Sequence, residues 1–105
     1  MAAEGSFLER LDVSVFAAHR GETFVMRLPG GEAQDLELVE VQELGRRATA
    51  GGELSNYALT FLARTPTPLP QAIYRLEHPA LGTMDVFLVP SARAAEGIRY
   101  EAVFN

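Results

Sequence analysis

Apolar and polar positions alternate along most of this chain with the period of a half-buried β-strand. In residues 23–28, Phe24, Met26 and Leu28 share one face. Pro29, Gly30, Gly31 and Glu32 then supply a turn, because two glycines tolerate positive φ. Across residues 36–41 the phase slips: Leu36 and Leu38 have one parity, Val39 and Val41 the other. A β-bulge, or a strand crossing between two layers, accounts for such a slip. Residues 45–55 read as a polar, Gly-rich loop carrying Arg46 and Arg47. A third strand over residues 57–62 turns Tyr57, Leu59 and Phe61 inward. Pro66, Pro68 and Pro70 exclude a central strand from residues 65–70 and leave an extended connector.

Residues 73–78 and 83–89 flank Pro79, Ala80, Leu81 and Gly82, which read as a four-residue hairpin connection. In the first of these strands Tyr74 and Leu76 face in while Arg75 and Glu77 face out. The second is apolar on both faces from Val86 to Val89, so it needs a cover, for which the N-terminal helix is the candidate. A loop over residues 90–97 leads to a last strand with Tyr100, Ala102 and Phe104 on one face.

Only the N-terminal stretch has helical spacing. Ser6 with Glu9 fits a capping box, and Phe7, Leu8, Leu11 and Val15 recur at helical intervals. A second reading starts a short helix near Ser14, anchors it with Phe16 and stops it at Gly21. The β-branched Val13 and Val15 favour one or two short turns over one long helix. The prediction is a single mainly β domain over residues 1–105. It is a small antiparallel six-stranded sandwich or barrel, with one or two short N-terminal helical turns and consecutive hairpins as the default topology.

Composition narrows the chemistry. The 105 residues include 14 acidic and 9 basic groups, net −5, and 48% are hydrophobic. That content suits one globular core and opposes disorder. The acidic balance opposes a nucleic-acid partner, because phosphate neutralisation needs clustered basic charge. All 9 basic residues are arginine, and cysteine is absent. Thiol nucleophiles, cysteine-based zinc sites and Schiff-base lysines are thereby excluded. No apolar run exceeds four residues, as in Val86–Phe87–Leu88–Val89, against the roughly 20 of a membrane helix. With no cationic leader before an apolar stretch, the expectation is a soluble, cytoplasmic protein with no membrane partner.

Candidate chemistry is sparse. His78 follows Glu77 at a hairpin end, where a polar group can meet a ligand. Strand alternation points the two to opposite faces, and His78 equally serves as the cap of the turn before Pro79. His19 precedes Gly21, where an imidazole suits a helix C-terminus. The two histidines with a carboxylate form a conceivable metal site in space, but their spacing does not require one, and no metal or cofactor is assigned. Glu37, Glu40, Asp85 and Glu101 fall on strand exteriors, where carboxylates solvate the surface. No serine has a nucleophile-elbow context. Arg46, Arg47 and Arg93 on loops, with Leu81 at a hairpin tip and Leu69 between prolines, are candidate interaction residues.

The segments 21–24, 69–71, 74–79, 81–82, 87–90 and 100–105, including Tyr74-x-Leu76-x-His78-Pro79 and the closing Tyr-Glu-Ala-Val-Phe-Asn, resemble a family of small bacterial β-rich proteins. It is known only as domain-of-unknown-function family 6916. Ala72 departs from the glycine expected there, which touches only the turn before a strand. The resemblance covers essentially the whole chain and brings no activity or catalytic residue. It implies structural duties for Gln71, Tyr74, His78, Pro79 and Gly82, and a hydrogen bond from Asn105 to a neighbouring strand. It also implies a genomic setting near phage-tail-collar-like proteins.

The functional expectation is a non-enzymatic protein-binding or assembly module whose candidate binding residues are Arg46, Arg47, Arg93, Glu77, His78 and Leu81. The first alternative is a structural or accessory component of a phage-tail-like particle. The second is a small hydrolase or metal-dependent enzyme using His78 and Glu77. Oligomeric state is left open.

Overall fold

A computed structural model describes residues 13–50 and 52–104, with side chains described for all of these except 46–49 and 52–55. Helix α1 is Val13–Ala17, and the strands are β1 Thr23–Arg27, β2 Ala33–Thr49, β3 Gly52–Ala63, β4 Ala72–His78, β5 Gly82–Ala94 and β6 Gly97–Phe104. They form one antiparallel sheet closed into a barrel in the order β1-β2-β3-β6-β5-β4. Ring closure decides between the two predicted architectures in favour of the barrel. The capping box at Ser6 and the hydrogen bond expected of Asn105 lie outside the described residues.

Alternation fills the interior. Phe24, Met26, Leu36, Leu38, Leu59, Phe61, Leu76, Leu88 and Tyr100 are fully buried. The phase slip in β2 is a bulge: Leu38 pairs with Phe61 and Glu40 with Thr60, which leaves Val39 without a place in the register. The extra residue turns Val41 back toward the core, against which it packs. Charged residues take the outer positions, where Arg64 pairs with Glu37 and Arg75 with Asp85.

Consecutive hairpins account for four pairings, but β3 and β4 are not neighbours and lie across the ring from each other. The proline-rich connector between them therefore crosses one mouth of the barrel. Leu69 donates its N–H to the Tyr100 hydroxyl at 2.9 Å, and the Tyr74 hydroxyl donates to the Pro70 carbonyl at 2.6 Å. Leu69 is half-buried and packs one side against the core. A segment rich in proline has few N–H groups to satisfy, which suits it to cross a mouth without a strand partner.

At the other mouth, α1 inserts the fully buried Phe16, whose ring lies 5.8 Å from Tyr57 and 6.1 Å from Phe104. Gly21, at φ 89°, turns the chain after the helix and donates to the Leu38 carbonyl at 2.7 Å. The helix contacts β2 and β3 and does not cover β5. Phe87 is accordingly 52% exposed, which corrects the expectation of a helical cover.

Two predicted loops are strands. Residues 45–49 pair with 52–56 as an arm beyond the barrel, with Arg46 opposite Ser55 and Arg47 opposite Leu54. Ladder hydrogen bonds propagate from the barrel into this polar stretch whatever its side chains prefer. Arg46 and Arg47 thus lie in β2, not on a loop. Likewise β5 continues through Pro90 to Ala94, the proline tolerated beside a register shift between Pro90 and Ala92. Arg93 is exposed on that strand.

Candidate functional site

Two features stand out. The first is a cluster at the α1 mouth. His78 continues the inward parity of Tyr74 and Leu76, and its side chain is 3% exposed. Its Nδ1 accepts the backbone N–H groups of Ala80 at 3.0 Å and Leu81 at 3.3 Å, so the ring caps the β4–β5 turn. An Nδ1 that accepts two donors holds no proton, which places the ring hydrogen on Nε2. From there it donates to Glu22 Oε1 at 2.8 Å. His19 Nδ1 lies 2.8 Å from the same oxygen, and the two imidazoles meet edge-on with centroids 4.7 Å apart. Both hydrogen bonds hold the Glu22 carboxyl below its ordinary pKa, that from His19 the larger.

His19, Glu22 and His78 have ligand-type atoms within 4.8 Å of one another, so residue type alone would allow a metal ion. The direction of the hydrogen bonds opposes it. A ligating imidazole donates its second ring nitrogen to an acceptor. Here that second nitrogen faces two amide donors, so Nε2 has no lone pair to offer. The chemistry expressed is that of a latch between the α1–β1 loop and the β4–β5 turn.

Sequence reasoning did not identify Glu22. Its spacing of three from His19 is a local signal, but His78 lies 56 positions away. Glu77 goes elsewhere, as alternation requires. It accepts from Arg27 Nε and Nη2, each at 3.1 Å, on the outer surface, and Arg27 holds its carboxyl below the ordinary pKa. Glu77 and His78 therefore do not share a site. Leu81, expected at an exposed tip, packs against the core, because the turn is held down by His78.

The second feature is the outer face of β4 and β5. Ile73 pairs directly with Phe87, Arg75 with Asp85, and Glu77 with Thr83. Ile73 is 69% exposed, the most open of the large apolar side chains among the described residues. Beside it runs a groove of 590 Å³ bordered by Leu28, Pro29, Leu69, Pro70 and Ala72. The Arg75–Asp85 pair at 3.0 Å and the Arg27–Glu77 pair at 3.1 Å border the apolar pair on one side. Among the described residues, no helix is long and apolar enough to cross a membrane.

A family model described as a domain of unknown function (DUF6916) matches residues 11–104. No curated protein and no solved structure matches the chain significantly.

Proposed function

The chain belongs to the DUF6916 family, and from that premise we propose that it is a non-enzymatic binding module that engages a protein through the outer face of β4 and β5. The observation that carries this reading is the exposed cross-strand pair Ile73–Phe87 beside an apolar groove. Such a cross-strand pair adds only roughly 0.2–1 kcal/mol to the sheet, while it presents two large apolar side chains together to water. An apolar centre bordered by arginine-containing ion pairs is the anatomy of a protein interface. The α1-mouth cluster supports the same reading, because its histidine is consumed in holding a turn.

The test is a double charge substitution, Ile73→Lys with Phe87→Glu, in the full chain, which sets opposite charges across the strand pair. Both positions are exposed, so the fold by circular dichroism is expected to stay unchanged. Proteins captured from the native host by the unaltered chain are expected to be lost from the variant. Retention of the same proteins would reject this face as the contact. Saturable turnover, abolished in a folded His78→Ala protein, would reject the non-enzymatic reading itself.

A further inference from the structure

The groove beside Ile73 runs between the β1–β2 turn and the proline connector, and polar groups along it are already matched within the chain. The Leu28 N–H donates to the Glu32 carbonyl at 2.9 Å, and the Leu28 carbonyl accepts from the Gly31 N–H at 2.9 Å. The Leu69 N–H donates to the Tyr100 hydroxyl, and the Tyr74 hydroxyl to the Pro70 carbonyl. Pro29 and Pro70 have no N–H to offer. A sugar or another polar ligand would leave its own groups unmatched there, whereas an apolar side chain loses nothing. The interior of the groove therefore suits hydrocarbon.

The charges along the groove select what accompanies that hydrocarbon. Three charged side chains line it: Arg27, Glu32 and Arg75. Arg27 is held through two nitrogens by Glu77, and Arg75 through two by Asp85. A partner carboxylate would have to displace one of these neighbours, so the two arginines form a neutral rim. Glu32 differs, because its carboxyl is exposed and makes no hydrogen bond or ion pair with any described residue. Asp35, farther along β2, is exposed and its carboxyl is equally unpaired among the described residues. This end of the groove favours a cation, in a chain whose net charge is −5. The same net charge opposes a second copy of the chain as the occupant. We propose that the groove takes apolar side chains of a partner protein segment whose lysine or arginine pairs with Glu32. The inference rests on the reading of the Ile73–Phe87 face as a protein contact and names the chemistry of the partner.

Fluorescence anisotropy of two dye-labelled synthetic peptides, titrated with the full chain, tests the proposal. Both alternate leucine with serine, and one ends in lysines, the other in glutamates. The lysine peptide is expected to bind about tenfold more tightly, an advantage that shrinks with added salt. Glu32→Lys, at an exposed turn position, is expected to abolish that preference with circular dichroism unchanged. Glu101→Lys, the same change of charge on the outer side of β6, is expected to leave the preference as it was. Equal affinity for the two peptides, binding of neither, or equal effects of the two substitutions overturns the proposal. If host proteins are nonetheless lost from the Ile73 and Phe87 variant, the face stands and only the class of partner is wrong.

Discussion

Glu22 Oε1 and His78 Nε2 stand 2.8 Å apart and join the segment before β1 to the end of β4. With both amides of the turn on Nδ1, the imidazole binds three partners and seats itself against Phe24, 4.6 Å between ring centroids. One side chain thus holds a turn and a loop and fills part of the core.

Replacing His78 by alanine is expected to lower unfolding free energy by roughly 2–4 kcal/mol. It opens a buried volume and removes the acceptor for two amides. Urea unfolding would show a lower midpoint at unchanged slope. Glu22→Ala should act in the same direction and more weakly, because its carboxylate is half open to water. Unaltered stability of His78→Ala would mean that the latch contributes nothing.

Acid should destabilise the fold through its paired carboxyls. Glu22 is held below the ordinary pKa by His19 and His78, Glu77 by Arg27 and Asp85 by Arg75. A depressed folded pKa means that the unfolded chain binds more protons in acid. The stability is therefore present above the ordinary carboxylate range near about 4 and is lost as pH falls through the lower folded values. Thermal melts at descending pH should show this fall. The Glu22→Gln, Glu77→Gln and Asp85→Asn triple variant should show a shallower one.

Gly97 and Gly30 should respond oppositely to alanine. At Gly97, with φ 150°, a Cβ would lie 2.0 Å from the Ala63 carbonyl oxygen, a backbone collision that no rotamer relieves. Gly97→Ala is expected to cost on the order of 3 kcal/mol or more, or to prevent folding. At Gly30 nothing lies within 4 Å, and alanine is expected to change stability by less than about 1 kcal/mol. Paired denaturation curves decide the matter, and equal effects would refute the contrast.

Tyr100→Phe should cost about 1–2 kcal/mol without altering the barrel. The substitution leaves the ring in the core and removes only the oxygen that accepts the Leu69 N–H. Amide exchange should quicken at Leu69. Unchanged exchange there would show that the connector is held by packing alone.

Much of the barrel was legible because strand alternation is a local property. Leu59 and Phe61 alternate with Thr60 whatever lies elsewhere, and the parity change after Leu38 located an irregularity, a bulge or a crossing between layers, that pairing with β3 resolves as a bulge. The arm was not legible. Gly45, Gly51 and Gly52 resemble a loop by composition, and only hydrogen bonding between residues 45–49 and 52–56 makes it a ladder. Pro90 hid the continuation of β5 in the same way, since a register shift nearby cannot be read from one strand.

By itself the sequence determined a mainly β chain with Tyr74, Leu76, Tyr100 and Ala102 facing inward, and an outward Glu77 beside His78. Side-chain direction follows from the two-residue period and needs no knowledge of neighbours. Tertiary structure alone decided which distant residues meet. It set β3 opposite β4, drew the proline connector across one mouth, and left Ile73 and Phe87 side by side in water. It also placed Glu22 between two histidines. Those outcomes depend on the order in which strands close the ring, a non-local choice made by packing and pairing of the whole chain, which no local pattern encodes.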